Sequence, residues 1–87
     1  MQIVTDRKFD KRFKKQSAKI KKEFEKRIEI FLINSNHPIL DTHKLSGGNL
    51  KGLWSFNLSD DVRVIFDKSQ KDVIILIDIG PHSELYF

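Results

Sequence analysis

Between Trp54 and Phe66 the chain alternates apolar and polar residues on both sides of a short polar turn, and only one strand pairing preserves that alternation. Trp54, Phe56 and Leu58 share one side of the first run, with Ser55 and Asn57 on the other. After Ser59-Asp60-Asp61, residues Val62, Val64 and Phe66 alternate with Arg63, Ile65 and Asp67. A three-residue loop sets Leu58 against Val62, Phe56 against Val64 and Trp54 against Phe66, and places Asn57 opposite Arg63. A slip of one residue would carry Arg63 into the apolar set. The pattern therefore predicts that Arg63 projects from the face away from Trp54, Phe56 and Val64, partly open and with apolar surroundings. An ion pair with Asp78 is the purely structural alternative for this arginine.

The hairpin belongs to a longer β-rich stretch, Asp41 to Phe87. Lys68-Ser69-Gln70-Lys71 turns the chain into Val73-Ile74-Ile75-Leu76-Ile77, a run without alternation that reads as a strand covered on both sides. Upstream, Gln2-Ile3-Val4-Thr5 reads as a short strand, and Thr5 or Asp6 as a helix cap whose side-chain oxygen accepts from an orphaned N–H. Phe9 and Phe13 share a helical face, and from Ser17 onward Ile20, Phe24, Ile28 and then Phe31 or Leu32 recur at steps of three or four. This spacing predicts helices over about 6–15 and 17–34, the second ended by Asn34-Ser35-Asn36-His37-Pro38, where proline disfavours helix at the residue before it. Residues 36–52 read as a loop. The fold class is α+β: a short N-terminal strand and two helices packed on one face of a small antiparallel sheet.

At 87 residues the chain has room for one domain, spanning 1–87. It has no Cys, which excludes disulfides and thiolate metal sites, and its longest apolar run is far short of the about 20 residues that cross a bilayer. The first residues lack the apolar core of a signal peptide, so a soluble cytoplasmic protein is expected. Charge is unevenly spread: residues 1–33 hold 11 Lys/Arg against 5 Asp/Glu, whereas residues 34–87 hold 5 against 7. The basic first half suits a polyanion such as nucleic acid, or else is a solvated helix surface.

Ser46-Gly47-Gly48-Asn49 is turn chemistry; no glycine-rich phosphate-binding motif surrounds it. His37 reads as a plain surface residue, and Trp54, sharing a face with Phe56, as core rather than a base-stacking platform. The three histidines have no metal-ligand spacing, and neither a metal nor another cofactor is expected. What remains along Asp41–Phe87 is a His, an Arg, a second His and a Tyr, side chains of the kind that cut a phosphodiester without a metal.

The order of two helices, H-K-L-S-G, L-K-G-L-W-S-F, V-R-V-I-F and I-D-I-G-P-H-S-E-L-Y resembles the RelE/ParE superfamily of bacterial and archaeal type II toxins over almost the whole chain. The ending I-G-x-H-x-x-L-Y is similar to that of RelE- and YafQ-like mRNA interferases. The resemblance implies an endoribonuclease that cleaves mRNA, commonly at the ribosome, and a cognate antitoxin. Arg63 matches the arginine that contacts the scissile phosphate. His43 falls where YafQ-like members carry an acid/base His, and His82 matches their C-terminal catalytic His. Tyr86 matches the Tyr or Phe that stacks on, or acts at, the cleaved nucleotide, although Tyr86 and Phe87 could instead dock the C-terminus on the core. Two strand lysines of RelE proper are replaced here by Ser55 and Asn57, and a YafQ-like strand His is missing. Ser55, Asn57, Lys51 and Phe87 are the expected substrate-binding residues.

RNA carries its own nucleophile, so cleavage needs two proton transfers and a cation at the phosphate. Histidine suits the first role because both its forms are populated near neutral pH; arginine suits the second because its planar fork stays charged. His43 and His82 are therefore the expected base and acid, in an order the sequence leaves open. Arg63 is the expected clamp and Tyr86 the stacking or relay group, giving a 2′,3′-cyclic phosphate and a 5′-OH. The expected partners are an acidic, partly disordered antitoxin in a hetero-oligomer, together with mRNA and the ribosome, and no membrane. The competing readings are a ParE-like inhibitor of DNA gyrase and a catalytically inactive antitoxin-binding module of the same fold.

Overall fold

The computed structural model describes residues 1–46, 48–59 and 61–85. In chain order these form β1 (Gln2–Thr5), α1 (Arg7–Lys14), α2 (Ala18–Ile33), a 3-10 turn (Pro38–Leu40), β2 (His43–Lys44) and a second 3-10 turn (Gly48–Leu50). They continue with β3 (Trp54–Asn57), β4 (Val62–Asp67), β5 (Val73–Pro81) and α3 (His82–Leu85). No helix among the described residues is long and apolar enough to cross a membrane.

The helices start where the side chains can cap them. Asp6, in extended conformation, accepts from the Phe9 N–H at 2.9 Å, and Ser17 accepts from the Ile20 N–H at 3.2 Å. Lys11, Arg12 and Lys14 fill the last turn of α1, where cations complement the helix dipole. On α2, Ile20, Phe24, Ile28 and Phe31 face the core while Leu32 turns outward, which settles the choice left open by the sequence. Arg27 ties α2 to its surroundings: its Nε pairs with Glu23 one turn back on the same helix, and its Nη1 donates to the carbonyls of Ile39 and Asn57 at 2.9 and 3.3 Å.

The five strands run in the order β1-β5-β4-β3-β2. The hairpin register is the expected one, with Trp54 opposite Phe66, Phe56 opposite Val64 and Asn57 opposite Arg63. The sheet is nonetheless mixed and not wholly antiparallel, because β1 pairs in parallel with β5 from Gln2–Val73 to Thr5–Leu76. A parallel pair needs a long crossover, and the helices and meander between β1 and β5 supply it. Within the expected loop over 36–52, His43 and Lys44 also join the sheet, opposite Ser55 and Trp54.

One sheet face carries the main core, in which Phe31, Phe56 and Phe66 meet with ring centroids 5.1–5.9 Å apart. A second aromatic trio, Phe9, Phe13 and Phe24, joins α1 to α2. The other face is less open than the sequence suggested: Leu45, Ile65 and Leu85 are buried there with Leu50, Leu53 and Ile77 against them. A bulge explains how β5 serves both cores. Ile65 pairs with Asp78 and Phe66 with Leu76, so Ile77 is the extra residue and turns to the second cluster, while Leu76 and Ile79 stay in the first. β5 also runs to Pro81, four residues past the expected end at Ile77.

Candidate functional site

Three of the expected site residues come together. His43, Arg63 and His82 line one open groove of about 390 Å³ with Lys44, Leu45 and Ser46. Each arrives from a different element: His43 from the edge strand β2, Arg63 from the interior strand β4, and His82 from the first position of α3.

His43 is placed by the turn before it. The His37 Nδ1 accepts from the Ile39 N–H at 3.1 Å and so starts the 3-10 turn, while fully buried Leu40 anchors it. Asp41 then takes a left-handed conformation (φ 47°), which Asp tolerates better than most residues. Its carbonyl accepts from the His43 Nδ1 at 2.8 Å. A carbonyl has no proton to give, so Nδ1 must carry the hydrogen, and the neutral ring keeps its lone pair on Nε2. Ser55, the cross-strand partner of His43, places Oγ 3.4 Å from that Nε2.

Arg63 is half-buried on β4, between Asn57 on one side and Gly80 on the other. Its Nη1 is buried and has no hydrogen-bond partner among the described residues. The structural alternative is not realised: the Asp78 carboxylate is taken by α1, with Lys8 Nζ at 3.3 Å and Arg12 Nε at 3.2 Å, and it accepts the Ile79 N–H at 2.9 Å. A guanidinium that no carboxylate among the described residues engages, and that lines a groove, is suited to an incoming anion. His82 is exposed at the groove and is fixed through its backbone N–H, which donates to the Asp61 carbonyl at 3.0 Å.

The other expected residues lie elsewhere. Ser55 is fully buried, so it meets His43 and offers no surface to a substrate. Asn57 lines a separate hollow with Arg27, Ile39 and Ser59, and its Oδ1 is buried without a partner among the described residues. Lys51 is exposed in the turn after Leu50 and is not among the groove residues. Tyr86 and Phe87 lie outside the described residues. Lys44 and Ser46 were missed, although Lys44 directly follows His43 and a cation beside a candidate acid/base group is a legible signal.

A larger hollow of about 580 Å³ lies between α1, Ser46 with the 3-10 turn Gly48–Leu50, and β5. Size does not make it the better anion site. Its cations are committed, Lys8 and Arg12 to Asp78 and Arg12 also to Glu84 at 3.7 Å, so an anion there would compete with three ion pairs. Among the described residues no group of three His, Asp or Glu side chains could hold a metal ion.

A family profile described as a bacterial toxin of type II toxin-antitoxin system, YafQ, matches residues 1–87. Among solved structures, a YoeB/ParE toxin from Agrobacterium tumefaciens is similar at TM-score 0.75 and 14% identity, with 94% of this chain and 99% of that chain covered. A metal-bound toxin from Helicobacter pylori is similar at TM-score 0.72 and 27% identity, covering 99% of each chain. The toxin of the E. coli DinJ–YafQ complex is similar at TM-score 0.71 and 20% identity, covering 98% of this chain and 97% of that chain. No curated protein matches the chain by sequence.

Proposed function

Because this chain belongs to the YafQ family of bacterial toxins of type II toxin–antitoxin systems, we propose that it is an endoribonuclease that cleaves mRNA in the groove of His43, Arg63 and His82. The observation that carries this reading is that Arg63 lines one groove with His43 and His82, its Nη1 buried and without a hydrogen-bond partner among the described residues. A guanidinium in that state costs stability unless a ligand repays it, and a phosphodiester oxygen is the ligand for which its fork is shaped.

In the proposed reaction the lone pair of His43 Nε2 takes the 2′-OH proton. The 2′-oxygen bonds to phosphorus and the bond to the 5′-oxygen breaks. Arg63 donates to the non-bridging oxygens as negative charge grows on them. His82, in its protonated form, gives its proton to the departing 5′-oxygen, leaving a 2′,3′-cyclic phosphate and a 5′-OH. The Asp41 carbonyl favours His43 as the base, since the neutral ring then offers Nε2 and not Nδ1. Tyr86 remains the proposed stacking or relay group.

A cognate antitoxin is the proposed partner, in line with the E. coli relative solved together with DinJ. The basic helices give it, or ribosomal RNA, a positively charged surface. Incubating the purified full chain with translated mRNA and mapping 5′ ends by primer extension tests the reading. Wild type is expected to cut and Arg63→Ala to leave the message intact. Intact mRNA with wild type, together with failed DNA supercoiling by gyrase, would overturn the nuclease reading in favour of a gyrase inhibitor.

A further inference from the structure

The strand position of Ser55 and the left-handed turn at Asp41 converge on one imidazole. Ser55 has no exposed surface, so its hydroxyl cannot reach an RNA in the groove; whatever it does chemically, it does through His43. Two groups then hold the ring at opposite nitrogens: the Asp41 carbonyl at Nδ1, 2.8 Å away, and the Ser55 Oγ at Nε2, 3.4 Å away.

The two contacts differ in kind. The Nδ1 contact is short and its direction is fixed, because a carbonyl only accepts. It selects the Nδ1–H tautomer and survives protonation of the ring. The Nε2 contact is long and reversible, because a hydroxyl both donates and accepts. Ser55 can donate to Nε2 when the ring is neutral and accept from Nε2–H when the ring is charged. At 3.4 Å this bond is weak enough for another hydroxyl arriving from the groove to displace it, yet it limits rotation of the ring. β2 has only two residues and sits at the sheet edge, so the strand alone constrains His43 little.

We propose that Ser55 is a positioning residue which, with the Asp41 carbonyl, clamps His43 as the Nδ1–H tautomer with Nε2 poised as the proton acceptor. This rests on the nuclease reading for its purpose, but not for its geometry. It also accounts for a serine at a strand position where a purely apolar core would take a larger side chain. The charged and titratable groups that share the groove are Lys44, Arg63 and His82, and Asp41 precedes the ring by two residues. Among the described residues the ring's hydrogen bonds run to the Asp41 carbonyl and the Ser55 hydroxyl.

Long-range proton–nitrogen NMR spectra of the labelled full chain, recorded where His43 is neutral, test the clamp without reference to activity. Wild type is expected to show a pyrrole-type Nδ1 and a pyridine-type Nε2. In Ser55→Ala the Nε2 resonance is expected to move toward the value of an unbonded pyridine-type nitrogen while the amide spectrum keeps its dispersion. Cleavage of translated mRNA is expected to fall between about tenfold and a hundredfold in kcat with KM unchanged. Ser55→Thr, which keeps the hydroxyl on a β-branched side chain, is expected to restore both. If threonine overpacks the site and unfolds the chain, the wild-type tautomer and the Ser55→Ala shift still decide. A wild-type His43 protonated on Nε2, or an Nε2 resonance unmoved in Ser55→Ala, overturns the proposal. If the ring shows the expected signature but wild type cuts no RNA, the clamp stands and the nuclease reading falls.

Discussion

Arg12 on α1 places its Nε 3.2 Å from the Asp78 carboxylate on β5, and this contact ties the first helix to the strand that leads into the candidate groove. Asp78 is 5% exposed and has three partners, Lys8, Arg12 and the Ile79 N–H. Removing a buried carboxylate strands the cations that faced it. Both cations here keep access to water, Lys8 far more than Arg12, so the loss is smaller than for a dry pair. Asp78→Ala is expected to lower stability by about 2 kcal/mol, which for a chain of this size corresponds to roughly 10 °C in Tm. Urea titration should show a lower midpoint with an unchanged slope. Arg12→Ala, which leaves Lys8 in place, should cost about half as much.

The two apolar residues Phe31 and Ile33 lie two positions apart on α2 and should behave oppositely. Phe31 is 1% exposed and touches both Phe56 and Phe66, whereas Ile33 is 88% exposed. Phe31→Ala opens a cavity beneath the sheet and is expected to cost about 4 kcal/mol, a large share of the total stability of a small domain. Ile33→Ser is expected to stay within about 0.5 kcal/mol of wild type. Thermal melts of the two variants side by side check both.

That contrast marks how far the sequence could be read. Helical spacing placed Phe31 or Leu32 in the core and could not choose between them, because a one-residue difference in facing is decided by the sheet and not by the helix. The hairpin register was legible because Arg63 would otherwise have been buried in the apolar set. The parallel pairing of β1 was not, since four residues of strand carry no record of their partner's direction. The strand at His43 was also missed: two residues carry no alternation of their own, and Leu45 and Leu53, which pack with Ile65 beside them, lie outside the pair. With β2 unseen, Ser55 read as a substrate contact when its cross-strand neighbour is His43. The meeting of His43, Arg63 and His82 was foreseen from the resemblance to the toxin superfamily; local spacing alone does not bring a loop, a strand and a tail together.

Asp67 gives a pH dependence whose sign follows from its hydrogen bond. The Ser69 backbone N–H donates to Asp67 Oδ1 at 2.7 Å, and this, with the Ser69 side chain, holds the carboxyl below its ordinary value of 3.8. A carboxylate with a depressed folded-state pKa adds stability that is fully present above the unfolded value and is lost as pH falls through the folded one. The stability difference between wild type and Asp67→Ala should therefore be constant from neutral pH down to somewhat above 3.8 and shrink below it. Urea midpoints measured at several acidic pH values check the window. A difference that grows on acidification would contradict the assignment.

Arg63→Lys separates charge from shape at the candidate site. Lysine keeps the positive charge but loses the fork that engages two phosphate oxygens, and its shorter reach withdraws the donor now buried as Nη1. If Arg63 serves only the fold, lysine should be about as good, because Nη1 has no protein partner to lose among the described residues. If Arg63 holds the phosphate in the transition state, cleavage should fall about a hundredfold or more even with the charge retained. Stability is expected to stay within about 1 kcal/mol of wild type in either case, or to rise slightly as an unpaired buried donor is removed. Measuring melting temperature and cleavage rate on the same preparation distinguishes the two roles: a lysine variant that is folded and slow supports the phosphate clamp, and one that cuts like wild type removes Arg63 from the chemistry.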